Sequence, residues 1–200
     1  LDFFSLTSHF ERKFTMSKKI VIVYFSGYGH TRRMAESVAQ GAGGTLLEVD
    51  QEGQLPEGGW DTLAAADAII FGAPTYMGNV PWQFKRFLDA SSKPWYSQVW
   101  KDKIAAGFTN SASMNGDKLS TLHYLFTVSM QHSMIWVGTG IMPSNSKAAT
   151  RNDVNYVGSF AGAMMQTPSD ASADEVNAGD LETARLYGER IAKVASQFRG

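Results

Sequence analysis

Ser26-Gly27-Tyr28-Gly29-His30-Thr31 is a dense run of chemistry-bearing residues between an apolar stretch and a helical pattern. It reads as a strand-to-helix loop. Small residues let backbone N–H groups turn inward, and the helix N-terminus adds partial positive charge, which suits a dianionic phosphate. Ser26 and Thr31 offer hydroxyl donors and His30 a ring N–H. Competing nucleotide motifs fit less well. A Walker loop needs a Gly-Lys-Ser/Thr ending, and that lysine is missing. A dinucleotide fingerprint needs a third glycine for close helix–strand packing. Arg32 occupies that place, although Asp50 stands at a distance that suits a ribose contact. A mononucleotide phosphate held mostly by neutral donors remains. The plain alternative is a turn in which Ser26 or Thr31 caps the helix.

Two further loops carry matching chemistry. Pro74-Thr75-Tyr76-Met77-Gly78-Asn79 combines a rigid proline, a flexible glycine and large flat or flexible side chains. An isoalloxazine ring needs backbone N–H groups along one edge and apolar bulk against its plane. Gly78 and Asn79 can supply the amides, Tyr76 and Met77 the bulk. Thr109-Asn110-Ser111-Ala112-Ser113-Met114-Asn115-Gly116 is rich in small donors and acceptors and suits a ribityl chain and a pyrimidine edge. Each loop alone also reads as an ordinary polar connection, with Asn79 as a helix cap. Three such loops on one sheet edge point to a ligand, because open parallel sheets bind beyond the carboxyl ends of their strands.

The elements that must hold these loops are legible as apolar runs at 20–25, 68–72, 104–108 and 134–138. None alternates with polar residues, as expected for strands buried on both faces. A more polar run at 45–49 reads as an edge strand. Helical patterns lie between them. The first covers 31–42, with Met34, Ala35, Val38 and Ala42 on one face. The second covers 80–90 after Asn79 as N-cap and buries Phe84, Phe87 and Leu88. A third at 118–130 carries Leu119, Leu122 and Phe126. The last, at 181–198 after Asp180 as N-cap, has acids near its start and bases near its end. Alternating strands and helices give a doubly wound α/β fold. The polar stretch 139–177 resists assignment, and loops of that size are usually functional or involved in assembly.

Composition narrows the function classes. Among 200 residues there is no cysteine, which excludes disulfides, thiolate metal sites and a cysteine nucleophile and suits a reducing cytosol. Net charge is -1 and no Lys/Arg-rich run occurs, against nucleic acid as a partner. The longest apolar runs fall far short of the roughly 20 residues that span a bilayer. There is no Gly-x-Ser-x-Gly elbow and no His-Glu-x-x-His, and His30, His123 and His132 stand far apart without a metal-binding motif. Residues 1–15 differ in character from the rest, and Met16-Ser17-Lys18-Lys19 reads like a start ahead of a strand. We expect 1–15 to be a leader or expression remnant, with Phe3, Phe4 and Phe10 available to pack on a neighbouring subunit, and 16–200 to form one domain.

The motifs in order resemble the tryptophan-repressor-binding-protein (WrbA) type of flavodoxin-like NAD(P)H:quinone oxidoreductase. The carrying segments are Tyr24-Phe25-Ser26-Gly27-Tyr28-Gly29-His30-Thr31 and Gly72-Ala73-Pro74-Thr75-Tyr76-Met77-Gly78-Asn79. Phe87-Leu88-Asp89 with Trp95 downstream, His132-Ser133-Met134-Ile135 and Ala184-Arg185-x-Tyr187-Gly188-Glu189 complete the match from about Lys18 to Phe198. The resemblance implies a flavodoxin-like, five-stranded parallel sheet of order 2-1-3-4-5 with helices on both faces. It also implies non-covalent FMN, NAD(P)H as co-substrate, a quinone acceptor, and homodimers or homotetramers; from the cysteine-free composition we expect a cytoplasmic protein. Ser26, Gly27, Tyr28, Gly29, His30 and Thr31 would hold the phosphate side. Pro74, Thr75, Tyr76, Met77, Gly78 and Asn79 would line the ring, joined by Asn110, Ser111, Ser113, Asn115 and Gly116. Trp95 and His132 would face the substrate, reaching the site of an adjacent subunit. Two departures bear on the acceptor more than on the cofactor. Many relatives carry Phe where this chain has Met77, and Gly-Gly where it has Gly116-Asp117. An electron-carrier flavodoxin, an FMN or azo-dye reductase and a flavin-binding regulatory protein are the rival readings.

Overall fold

The computed structural model describes residues 18–198. The expected leader and its phenylalanines lie outside the described residues. The elements run β1 (Ile20–Tyr24), α1 (His30–Ala42), β2 (Thr45–Glu48), α2 (Gly59–Ala64), β3 (Ala68–Pro74), α3 (Trp82–Ala90), α4 (Ser92–Tyr96), β4 (Ile104–Ser111), α5 (Lys118–Gln131), β5 (Ile135–Trp136), β6 (Ala163–Gln166) and α6 (Ala178–Gln197). All strand pairs are parallel, in the order β2-β1-β3-β4-β5. This is the flavodoxin-like doubly wound order expected from the sequence.

Strand alternation builds two cores. Ile20, Ile22 and Tyr24 point to the face covered by α1 and α6, where they meet Met34, Val38, Tyr187 and Ile191. Val21, Val23 and Phe25 point the other way, onto Phe84, Phe87, Trp100 and Leu122 of the opposite layer. Every residue of β1 and β3 is buried, which explains their unbroken apolar sequence. Helices α1 and α6 approach closely through glycine: a Cβ on Gly188 would lie 2.2 Å from the Val38 carbonyl oxygen.

The fifth strand position is split. β5 pairs with Ile104–Ala105 at the start of β4, and β6 pairs with Phe108–Ser111 at its end. Between them the chain leaves the sheet and returns. The stretch read as unassigned, 139–177, therefore contributes a strand and then wraps the carboxyl edge. It is anchored by a bidentate Arg151–Asp180 ion pair, with Asp180 buried and also accepting from the Gln166 N–H at 2.9 Å.

Several local expectations are corrected. Pro81, in extended conformation, occupies the N-cap position of α3, while Asn79 Oδ1 accepts from the Val80 N–H at 2.8 Å. The N-cap of α6 is Asn177, whose side chain accepts from the Gly179 N–H, because Asp180 is committed to Arg151. On α5, Leu119 and Phe126 are exposed; Thr121, Leu122, Leu125 and Ser129 form the buried stripe. Among the described residues no helix is long and apolar enough to cross a membrane.

Candidate functional site

A cleft of about 340 Å³ opens at the carboxyl edge, at the switch point where β1 and β3 diverge in connection direction. Tyr28, His30 and Thr31 line it from the first loop, Pro74, Thr75 and Tyr76 from the second, Asn110 and Ser111 from the third. All three loops singled out in the sequence thus converge. The sequence reading missed Ala112, Thr167 and Ser169, which also line the cleft. The last two come from the wrapping segment, where a Thr/Ser-rich stretch without periodicity gave no clue to its spatial neighbours.

In the first loop, Ser26 Oγ accepts from the N–H groups of Gly29 and Arg32, both at 3.1 Å. Ser26 is thus a loop organiser and a cap for α1, the plainer of the two roles open to it. The N–H groups of His30 and Thr31, first-turn amides that no helix satisfies internally, belong to residues that line the cleft. Gly29 holds the turn at φ 90°, outside the range of ordinary side chains. Gly27 lies under Tyr76, since a Cβ there would come within 2.5 Å of the Tyr76 hydroxyl.

His30 departs from its expected role. Its Nε2 lies 2.8 Å from the Ala171 carbonyl oxygen, an acceptor only, so Nε2 carries the proton and donates there. The ring N–H thus latches the wrapping segment over the phosphate loop and is not offered to a ligand.

The second loop is a two-residue reverse turn. Tyr76 N–H donates to the Asn79 carbonyl and Asn79 N–H to the Tyr76 carbonyl, at 2.8 and 3.1 Å. Met77 and Gly78 both have positive φ, the pattern of a type I′ turn. Asn79 N–H is therefore not free for a ring edge, and Met77 projects fully exposed from the tip instead of forming a wall. Neither Gly78 nor Asn79 lines the cleft. Tyr76 packs edge-on against exposed Tyr28, ring centres 6.2 Å apart, at the mouth. Beneath it, Thr75 Oγ1 sits 2.8 Å from both Thr109 Oγ1 and Thr121 Oγ1, a buried hydroxyl chain that ties β3, β4 and α5 together.

In the third loop, Asn110 Oδ1 accepts from Thr167 Oγ1 at 3.2 Å, and the Ala112 carbonyl accepts from Gln166 Nε2 at 2.7 Å. Ser113, Asn115 and Gly116 stand behind the lining, not in it. Gly116 has φ 55°, and a Cβ there would come 2.2 Å from Ser111 Oγ.

Trp95 and His132 do come together, but elsewhere. They share a shallow depression of about 480 Å³ with Tyr96, Gln98, Met130, Gln131 and Ser133. It lies at the far end of α5, whose 14 residues span roughly 21 Å at about 1.5 Å each. Within one chain they cannot face the cleft. His132 is buried, with its ring centre 4.2 Å from that of Trp100. Ser91 Oγ donates to the Leu88 carbonyl, so it accepts from His132 Nε2 at 2.9 Å. Among the described residues His132 Nδ1 has no partner, as fits a neutral ring. Burial pushes the His132 pKa down to about 4. Between that value and the ordinary one near 6.5 the unfolded chain binds the extra proton, so stability rises with pH there and falls on acidification. We expect the protein to lose on the order of 2–3 kcal/mol from this group between about pH 6.5 and 4. Urea melts across that range check it: His132→Gln should flatten the decline, and an unchanged slope would contradict the assignment.

Comparison with known proteins agrees with this geometry. The family model described as NADPH-dependent FMN reductase matches residues 60–149. The chain is 52 % identical over 180 residues to flavodoxin FldP of Pseudomonas aeruginosa, covering 90 % of this chain and 98 % of that one. It is 33 % identical to an NAD(P)H dehydrogenase (quinone) of Geobacter sulfurreducens, covering 90 % of this chain and 99 % of the relative. Among solved structures, a flavodoxin, WrbA-like protein from Agrobacterium tumefaciens superposes with a TM-score of 0.75 at 52 % identity, covering 92 % of this chain and all of the other. Three convergent loops at the switch point of a 2-1-3-4-5 sheet, with these full-length relatives, establish that the chain belongs to the WrbA-like flavodoxin family.

Proposed function

We propose that the chain is an FMN-dependent oxidoreductase that passes two electrons from NAD(P)H to a quinone-type acceptor. The observation that carries this reading is the cleft itself, whose lining residues bring hydroxyls, the Asn110 side-chain amide and backbone amides together without a lysine, arginine or carboxylate. That donor set fits a flavin mononucleotide. First-turn amides of α1 and Thr31 would take the phosphate; Asn110 and Ser111 would take the ribityl chain; Pro74, Thr75 and Tyr76 would border the ring. Bound FMN would supply hydride chemistry between nicotinamide and quinone, so no protein acid–base pair is demanded. Tyr28 and Tyr76 give the mouth flat apolar surface for planar substrates. The Ser26 cap and the His30 latch fix the phosphate loop before a ligand arrives, which lowers the ordering cost of binding.

Assembly into a homodimer or homotetramer belongs to the same proposal. Half-exposed Trp95, remote from its own cleft, would then contribute to the mouth of another subunit's site. The cysteine-free composition is in keeping with a cytoplasmic location.

A second reading, an electron carrier serving a protein partner, is favoured by the name of the flavodoxin FldP relative. A net charge of -1 gives little of the electrostatic steering on which such carriers rely. Anaerobic stopped-flow separates the two. The enzyme reading expects bound FMN to bleach on mixing with NADH or NADPH and to regain its absorbance on mixing with benzoquinone. Absence of bleaching by both nucleotides supports the carrier.

A further inference from the structure

Lys118, the first residue of α5, is completely buried, a rare state for lysine. Its ammonium donates to Ser111 Oγ at 2.9 Å, the Ser113 carbonyl at 2.7 Å and the Met114 carbonyl at 2.9 Å. All three partners belong to the loop behind the cleft, and Ser111 lines it. Every donor is satisfied, yet the charge is not. Among the described residues Lys118 has no salt bridge, and its neighbouring charges, Arg151 and Asp180, are paired with each other. The group of three, in which Lys118 and Asp180 are buried and Arg151 is partly exposed, therefore carries one net positive charge, and Lys118 places it one hydrogen bond away from a cleft-lining hydroxyl. Ser111 Oγ in turn donates to the Ser113 carbonyl, so the ammonium polarises that hydroxyl and pins the loop.

An uncompensated buried cation is costly, and a neutral side chain with two donors could hold two carbonyls without it. A surplus positive charge beside the cleft favours an anion there, and the reaction proposed above would supply one. Hydride transfer from NAD(P)H breaks a nicotinamide C–H bond, forms an N5–H bond and adds one negative charge to the flavin, releasing NAD(P)+. We propose that Lys118 is a positioning residue that, through Ser111 and the 111–116 loop, biases bound FMN toward its negatively charged two-electron-reduced form. The inference rests on the FMN reading and adds to it the cation that favours reduction. Burial pushes the Lys118 pKa down to about 8, against the nearby Asp180 carboxylate, which raises it, and with Arg151, which lowers it.

The test compares dissociation constants of oxidised FMN and of dithionite-reduced FMN for wild type, Lys118→Met and Lys118→Arg, with thermal melts to verify folding. Removing the charge should lower the ratio of oxidised to reduced dissociation constants about tenfold, equivalent to a potential about 30 mV more negative for a two-electron couple. Lys118→Arg, which keeps the charge but not the ammonium's shape, should lower the ratio less than Lys118→Met does. If Lys118→Met does not fold, Lys118→Gln, which keeps a donor for the loop carbonyls, carries the same comparison. A ratio unchanged in a folded Met or Gln variant overturns the inference, because a purely structural lysine would weaken both forms alike. Failure of wild type to bind FMN at all would instead overturn the reading on which it rests.

Discussion

Gly29→Val is expected to weaken FMN binding about 100-fold while leaving the protein folded. Gly29 sits at φ 90° immediately before α1, and a β-branched residue adopts that conformation only with strain of roughly 1–3 kcal/mol. Relaxing the strain would rotate the peptide that aims the Gly29 N–H at Ser26 Oγ and sets the position of the first-turn amides. Space is tight as well, because a Cβ at Gly29 would lie 3.1 Å from Ala173 Cβ on the wrapping segment, which would have to give way by a few tenths of an ångström. The loop must then lose its amide geometry, its contact with that segment, or both. Each matters more to a dianion than to the core, which lies below the loop. Quenching of FMN fluorescence gives the affinity, and near-UV circular dichroism reports whether packing is retained. Wild-type affinity in Gly29→Val would contradict a phosphate site at this turn.

Asp180→Ala is expected to lower stability by about 3–5 kcal/mol. Asp180 is 1 % exposed, and its carboxylate accepts two Arg151 guanidinium donors and the Gln166 N–H. Truncation leaves the guanidinium without its counter-ion and the Gln166 amide without an acceptor, and the desolvation cost of both remains. For a domain of this size each kcal/mol shifts the melting temperature by roughly 2–4 °C, so calorimetry should record a drop of roughly 6–20 °C. The damage should also reach the site. Gln166 holds the Ala112 carbonyl, and Thr167 next to it holds Asn110. Flavin affinity should therefore fall together with stability. A drop under about 1 kcal/mol would mean that Arg151 finds another partner and that the wrapping segment is held chiefly by other contacts.

The parts of this molecule legible in sequence are those written in local pattern. The unbroken apolar runs at 20–25 and 68–72 read as strands with both faces covered, and strands Ile20–Tyr24 and Ala68–Pro74 are buried throughout. Glycines and small polar residues at the carboxyl ends of those runs marked the cleft loops, since few physical needs other than turning and binding require them there. What stayed hidden depends on long-range partners. β6 lies in a Gly/Ala/Met stretch without alternation, and its strand character comes from pairing with the end of β4. Asp180 has the right residue type for a helix cap, but Arg151, 29 positions away, takes its carboxylate. His30 looks like a phosphate donor until Ala171 is known to stand over it. A lysine at a helix start reads as a solvated side chain, and only the loop folded over Lys118 makes it a buried charge. Trp95 and His132 line one depression at the far end of α5 from the cleft of their own chain.

Everything proposed for the cleft depends on its neutral donors receiving one flavin mononucleotide. Titrating FMN into the purified, flavin-free protein while following the loss of flavin fluorescence tests that directly. Saturable quenching at one flavin per chain, abolished when riboflavin without the phosphate replaces FMN at the same concentrations, is the predicted result. Fluorescence that stays at the level of free FMN throughout the titration would contradict it.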